Sequence, residues 1–152
     1  RLVCTDSNEK RLPRLLENLE RCGVKNAEVA QHDWTKPAPA EWRGMFDAIL
    51  LDVPCSNTGV LRRRVDVRWR LQKVDIDQLN VIQKQILENA LPCVKSGGRI
   101  VYSTCSIDPE ENIEMVTRFA EENDQVELGE SRQLLPFKDD CDGAFAAVLN
   151  CK

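Results

Sequence analysis

Two patterns of apolar residues alternate along the chain, one typical of strands and one typical of helices. Short apolar runs that predict strands lie at residues 2–5, 27–30, 46–51, 99–103, 125–128 and 144–149. Apolar residues at helical spacing lie at 8–22, at 76–94 and from 109 onward. The proline-containing stretch 34–44 is expected to be a loop with at most one helical turn. This alternation predicts an α/β fold with a mostly parallel sheet. The Asp142-Gly143 turn signal precedes the last strand, which is expected to be antiparallel.

Local signals refine these elements. The run 46–51 is almost continuously apolar, which is typical of a parallel strand covered on both faces. Gly97 and Gly98 predict a turn before the strand at 99–103. Asp108 followed by Pro109 predicts the start of a helix, since proline at the first helical position is pre-organised for it.

Polar side chains follow four of the predicted strands. Asp6 and Asp33 each come just after a strand, Asp52 and Cys55 follow the third, and Cys105 follows the fourth. One acidic residue in such a place is ordinary turn chemistry. In a parallel sheet, however, ligands bind outside the carboxyl ends of the strands. We therefore expect these residues to meet at one binding edge.

Length and composition limit the class of protein. The chain has 152 residues, 42% of them hydrophobic and 30% charged, as expected of one globular domain. No apolar run reaches the roughly 20 residues of a membrane span, so no membrane partner is predicted. Seven cysteines without a C-x-x-C pair fit neither a zinc site nor a disulfide framework. No metal is predicted, the cytoplasm is the expected location, and Cys4, Cys22 and Cys93 are interpreted as buried apolar residues.

The charge is distributed unevenly. The net charge is −4, yet residues 61–73 contain six basic residues and one acidic residue. Such a patch either attracts a polyanion or is simply a solvated face.

Two segments carry a family resemblance. Residues 52–60 (DVPCSNTGV) and 103–112 (STCSIDPEEN) resemble the two signature motifs of RNA 5-methylcytosine methyltransferases, which include the bacterial Fmu/Sun/RsmB enzymes and the NOL1/NOP2/Sun proteins. The resemblance extends from Asp6 to about Leu149. It implies the Rossmann-like sheet of S-adenosylmethionine-dependent methyltransferases, and a methyl transfer to carbon 5 of a cytosine in RNA, with rRNA favoured over tRNA.

The resemblance also implies roles for the cysteine motifs. Carbon 5 of cytosine is a poor nucleophile until a thiolate adds to carbon 6, so the family uses covalent catalysis. By similarity, Cys105 is the nucleophile and Cys55 assists release of the methylated RNA. Asp52 holds the cytosine edge and helps to protonate the ring nitrogen. A lowered pKa of the Cys105 thiol is a further hypothesis.

Cofactor and RNA contacts are implied in the same way. Asp6 matches the position that holds the ribose hydroxyls of S-adenosylmethionine, and Asp33 matches the position that contacts its adenine; capping and turn roles are the alternatives. Asp52 is expected to contact the cofactor as well as the cytosine. The basic cluster Arg62, Arg63, Arg64 and Arg68 lies where the family approaches the RNA backbone. Trp69 is either a base-stacking residue or an anchor to the core.

The sequence departs from the family at its start. No strand with a glycine-rich cofactor loop precedes Leu2, and the family's N-terminal RNA-binding region is also absent. Residues 1–152 are therefore interpreted as the C-terminal part of the catalytic domain. The family's central first strand would lie between the strands ending at Asp6 and Asp52. We expect unpaired inner edges, self-association through such an edge, and weak or no methyl transfer by this chain alone.

Three other functions are weighed against this one. A cysteine hydrolase would need a base beside the thiol, and His32 is the only histidine. A methyltransferase acting on adenine or on protein would have no use for Cys105. The serious competitor is a non-catalytic RNA-binding module or an inactive fragment of such an enzyme.

Overall fold

The structure, a computed structural model, describes all residues 1–152. Six strands and five helices follow one another in the order β1 (Leu2–Asp6), α1 (Leu12–Arg21), β2 (Ala27–Gln31), β3 (Phe46–Asp52), α2 (Val67–Arg70), α3 (Lys73–Ala90), β4 (Val94–Thr104), α4 (Ile113–Glu121), β5 (Val126–Leu134), α5 (Pro136–Asp139) and β6 (Ala144–Cys151). All six predicted strands are present, and the helical turn expected within 34–44 is a 3₁₀ turn at Ala40–Trp42. No helix is both long and apolar enough to span a bilayer.

The strands form two separate sheets. β1 and β2 pair in parallel, and the second sheet has the order β3-β4-β6-β5. In that sheet β3 and β4 are parallel, whereas β6 is antiparallel to both of its neighbours. This is the predicted mostly parallel α/β architecture with an antiparallel last strand. β1 and β3 each pair on one side only, as expected for strands that lack a central strand between them.

The core lies on one face of the larger sheet. Leu51 of β3 and Ile100 of β4 pack there against Leu87 of α3 and Phe119 of α4. The opposite face of β3 is open, and Leu50 is 70% exposed. The prediction that this strand is covered on both faces is therefore wrong, because the apolar run belongs to an edge strand with only one helical layer.

Three local expectations also differ from the structure. Gly97, predicted in a turn, lies within β4 with φ +77°, at an irregular step in the pairing with β3. The helix predicted from Pro109 is a 3₁₀ turn followed by α4, with a break at Asn112. Of the three cysteines expected to be buried, only Cys93 is; Cys22 is exposed because α1 has no buried residue.

Candidate active site

The two motif cysteines meet at the carboxyl ends of adjacent strands. Asp52 of β3 lies beside Ser103 of β4 in the parallel register, so the loops that follow leave the sheet together. The Sγ atoms of Cys55 and Cys105 are 3.2 Å apart. The proximity expected from the strand order is confirmed, and both sulfurs can reach the same small planar ligand.

A chain of polar contacts determines which thiol of the pair donates the hydrogen bond to the other. Cys105 Sγ donates to Asn57 Oδ1 at 3.2 Å, which leaves Cys55 as the donor towards Cys105. The amide of Asn57 is held in this orientation because its Nδ2 donates to the carbonyl of Cys55 at 2.8 Å. When Cys105 loses its proton, the thiol of Cys55 still donates to the resulting thiolate.

This arrangement gives the two thiols different pKa values. The hydrogen bond from Cys55 lowers the pKa of Cys105 to about 7, with help from the charge of Arg64, while burial and the carboxylate of Asp52 oppose the shift. The pKa of Cys55 is raised, first by the same hydrogen bond and then by burial. Cys105 is therefore the thiolate of the pair near neutral pH and Cys55 the thiol.

Alkylation of Cys105 should follow this ionisation. Because the thiolate is the reactive form, its labelling by iodoacetamide should fall as pH drops through about 7. Cys55→Ala removes the donor and should move the midpoint up towards the ordinary thiol value of about 8.5. The rate can be followed on the tryptic peptide 100–118, which contains no other cysteine. Cys4→Ala is the matched control and should leave the midpoint unchanged. An unaltered chain with a midpoint near 8.5 would contradict the assignment.

The loop carrying Cys55 approaches the Cys105 loop closely at one glycine. Gly59 donates its backbone N–H to the carbonyl of Cys105 at 3.0 Å and accepts from Gly143 at 2.8 Å. A Cβ at Gly59 would lie 2.7 Å from the Cys105 carbonyl oxygen. Any larger residue there would push the two cysteine loops apart.

A cleft of about 780 Å³ joins the predicted cofactor residues to the thiols. It is lined by the side chains at the strand ends, among them Asp6, Asp33, Asp52, Cys55 and Cys105. The structure thus brings together every residue predicted at the binding edge. β1 and β3 supply opposite walls of this cleft.

Asp6 and Asp33 each use one carboxylate oxygen in a local turn. Asp6 Oδ1 accepts from the N–H of Asn8 at 2.7 Å, and Asp33 Oδ1 accepts from the N–H and the hydroxyl of Thr35. The Thr35 contacts lower the pKa of Asp33. The turn roles weighed for both residues are therefore present. They coexist with exposure to the cleft, because each turn engages Oδ1, whereas Oδ2 makes only a long ion pair. Asp6 Oδ2 lies 3.7 Å from Arg11, and Asp33 Oδ2 lies 3.9 Å from Lys36.

The basic cluster divides into two pairs. Arg62 and Arg63 both bind Asp142, at 2.5 and 2.8 Å. Arg64 and Arg68 make no ion pair; Arg64 lines the cleft and Arg68 lies 5.5 Å from the ring centre of Trp69. Trp69 is 82% exposed, so it does not anchor the core.

His32 does not serve the thiols as a base. Its ring packs edge-on against Trp34 and Trp42, with centroids 4.7 and 5.4 Å away. Burial lowers its pKa, and its buried Nε2 has no hydrogen-bond partner. The cysteine-hydrolase alternative therefore lacks its dyad.

Sequence reasoning missed three residues that hold the site together: Asn57, Glu111 and Asn112. All three lie within the two quoted motifs, so the segments were identified but these side chains were not. Glu111 and Asn112 are fully buried, a rare environment for a carboxylate. Their position within the cysteine motifs was the only signal in the sequence.

Comparisons with known proteins place this geometry in a family. A family model described as 16S rRNA methyltransferase RsmB/F matches residues 1–150. Ribosomal RNA small subunit methyltransferase B of Serratia proteamaculans is 43% identical over 157 residues, covering 97% of this chain and 36% of that protein. The Escherichia coli protein of the same name is 42% identical over the same length. The chain thus spans about a third of the length of these curated relatives.

Solved structures agree with the sequence relatives. A methyltransferase homologue from Pyrococcus horikoshii superimposes with a TM-score of 0.82 at 29% identity, covering 99% of this chain and 53% of that one. NSun6 from the same organism, solved with SFG, has a TM-score of 0.78 at 25% identity, covering 98% and 41%. The family model matches residues 1–150 and the relatives cover 97% of the chain, so the chain belongs to the RsmB/F family of 16S rRNA methyltransferases.

Proposed function

We propose that this chain carries the catalytic centre for transfer of a methyl group from S-adenosylmethionine to carbon 5 of a cytosine in cytoplasmic 16S rRNA. The observation that carries the proposal is the pair of thiols 3.2 Å apart beside Asp52. A transferase acting on an exocyclic nitrogen needs no thiolate. Attack at carbon 6 of a pyrimidine needs one, and a second group is needed to undo it.

The proposed steps assign one task to each side chain. The Cys105 thiolate forms a bond to carbon 6, and the electron pair of the 5,6 double bond moves into the ring while Asp52 helps to protonate the ring nitrogen. Carbon 5 becomes nucleophilic and takes the methyl group. Loss of the proton from carbon 5 to a base then re-forms the 5,6 double bond, and the electron pair of the carbon–sulfur bond leaves with Cys105 as a thiolate. The ring nitrogen returns its proton to Asp52, which restores the neutral ring.

Cys55 is suited to the last step. Its pKa is raised first by the hydrogen bond that it donates to Cys105 and then by burial, so it is held as a thiol. Bonding Cys105 to carbon converts that thiolate into a neutral thioether. Cys55 then loses the acceptor of its hydrogen bond, its pKa falls, and it releases its proton to solvent. The resulting thiolate can accept the proton from carbon 5, so Cys55 acts as a base only after the adduct has formed.

The cleft fits the proposed cofactor. When bound, S-adenosylmethionine supplies an electrophilic methyl group on a sulfonium. Asp6 and Asp33 offer carboxylate oxygens suited to hydroxyl and amino donors. Trp34 supports this wall, since its Nε1 donates to Thr5 Oγ1 at 2.9 Å.

A second function, RNA binding without turnover, is favoured by the separate sheets. No backbone hydrogen bond joins β1, which carries Asp6, to β3, which carries Asp52. Methyl transfer requires a fixed distance between the cofactor wall and the thiols. This chain alone is therefore expected to attack cytosine better than it methylates it.

One experiment tests attack and transfer separately. The chain is incubated with RNA containing 5-azacytosine, with and without S-adenosylmethionine, and denatured complexes are mapped by mass spectrometry. An adduct on peptide 100–118 supports covalent attack, and added methyl mass supports transfer. RNA binding without any adduct would support the binding module and overturn the proposed chemistry.

The two unpaired arginines should dominate RNA binding. Arg64→Ala with Arg68→Ala removes two free cations and should weaken single-stranded RNA binding roughly 20-fold at 0.1 M salt, and reduce the salt slope by about 1.4. Arg62→Ala with Arg63→Ala is the matched control of equal charge, and should cost less because both arginines already pair with Asp142, which offsets one of their two charges. Equal losses in a filter-binding titration would contradict this division of the cluster.

A further inference from the structure

Two consecutive residues, Glu111 and Asn112, hold the peptide groups on either side of the two cysteines. We infer that they are positioning residues for the thiol pair, with Glu111 fixing the Cys55 loop and Asn112 fixing the Cys105 loop. The inference rests on the proposed function, since the pair they position is the proposed catalytic one.

Glu111 grips the chain around Cys55. Its side chain is fully buried, and it accepts from the N–H of Ser56 at 2.9 Å and from the Ser56 hydroxyl at 2.5 Å. Gln83 Nε2 donates both to Glu111 Oε1 at 3.0 Å and to the carbonyl of Pro54 at 2.9 Å. The residues before and after Cys55 are thus tied to one carboxylate, directly or through one amide.

Asn112 holds the backbone around Cys105 in the same way. Its Oδ1 accepts from the hydroxyl of Thr104 at 2.6 Å, and its Nδ2 donates to the carbonyl of Ser106 at 2.9 Å. A second donation to Gln133 Oε1, also at 2.9 Å, fixes the amide orientation. Both neighbours of Cys105 are therefore held by a single side chain.

The peptide bond between Glu111 and Asn112 couples the two sets of contacts. The Tyr102 hydroxyl donates to the carbonyl of Glu111 at 2.7 Å, which ties the dipeptide to β4 just before Cys105. The separation of the sulfurs then depends on a short covalent unit rather than on two independent loops. Glu111 makes no ion pair. Burying a carboxylate without a cation lowers the stability of the fold, so stability alone does not explain this residue.

The test compares variants that remove the contacts of Glu111 or Asn112 with variants that keep them. Glu111→Ala should raise the midpoint of Cys105 alkylation by about one pH unit, because loosening the Cys55 loop weakens its hydrogen bond to Cys105. Adduct formation with 5-azacytosine RNA should slow roughly 10- to 100-fold at unchanged RNA affinity. Glu111→Gln should stay close to the unaltered chain, since its oxygen still accepts from Ser56 N–H and Gln83 while its amide donates to the Ser56 hydroxyl.

Controls separate positioning from general loss of structure. Glu110→Ala changes the adjacent acid, which pairs with Lys73 at 3.1 Å on the surface, and should alter neither readout. If Glu111→Ala does not fold, Asn112→Leu decides, because it keeps the approximate size of the side chain and adds no charge but loses the contacts to Thr104 and Ser106. A raised midpoint in folded Asn112→Leu supports the inference. Folded Glu111→Ala or Asn112→Leu with unaltered alkylation and adduct rates would overturn it.

Failure of the proposed function would be visible separately. The alkylation midpoint needs neither RNA nor cofactor. If the unaltered chain forms no RNA adduct, the cytosine chemistry is lost, while the midpoints of the variants still decide whether Glu111 and Asn112 set the thiol geometry.

Discussion

Cys105→Ala should abolish the covalent complex with 5-azacytosine RNA, with a loss of more than about 10³-fold in the rate of adduct formation. Cys55 is the remaining thiol of the pair and should not replace it, because burial still raises its pKa and its sulfur lies 3.2 Å from the position of Cys105 Sγ. RNA affinity should be unchanged, since Arg64 and Arg68 supply the free cations for the backbone. The rate is measured by denaturing gel and the affinity by filter binding on the same samples.

Cys4→Ala is the matched control for this result. It removes a half-buried cysteine on β1 rather than a thiol of the pair, and should leave the adduct rate unchanged. An adduct that persists in Cys105→Ala would assign attack to another residue. A parallel loss of RNA affinity would favour a binding role for Cys105 over a covalent one.

The binding edge could be predicted because it depends on chain order alone. Asp6, Asp33, Asp52 and Cys105 each follow an apolar run, and parallel strands bring such ends to one side of a sheet. Their common place in one cleft follows from that rule and from the motif positions. The antiparallel β6 after the Asp142-Gly143 turn could be predicted for a similar local reason.

Other features depend on contacts that the local pattern does not encode. Arg62 and Arg63 pair with Asp142, some 80 residues along the chain. Leu50 lies in a continuous apolar run, yet it is exposed because no helix covers that face of β3. Glu111 resembles an ordinary helix-start acid, and only the tertiary fold turns it inward towards Ser56.

The two halves of the cleft differ in how many buried side chains hold them in place. The thiol half is held by the hydrogen bonds of Ser56, Gln83, Glu111 and Asn112, all of them buried. The half with Asp6 and Asp33 stands on a two-stranded sheet with no fully buried side chain in β1 or α1. Attack on a base requires only the first half, whereas methyl transfer requires both.

Cys55→Ala should have the opposite effect to Cys105→Ala and cause a covalent complex to accumulate on RNA with ordinary cytosine. Any adduct that the chain methylates would then lack the base proposed for its release, so its lifetime should increase about 10²-fold or more. The experiment is best run near pH 9 with S-adenosylmethionine, because Cys105 then ionises without its hydrogen-bond donor. Unaltered protein should show only a trace of complex, and the double variant Cys55→Ala with Cys105→Ala should show none. Complex in the double variant, or adducts equally short-lived with and without Cys55, would remove Cys55 from the release step.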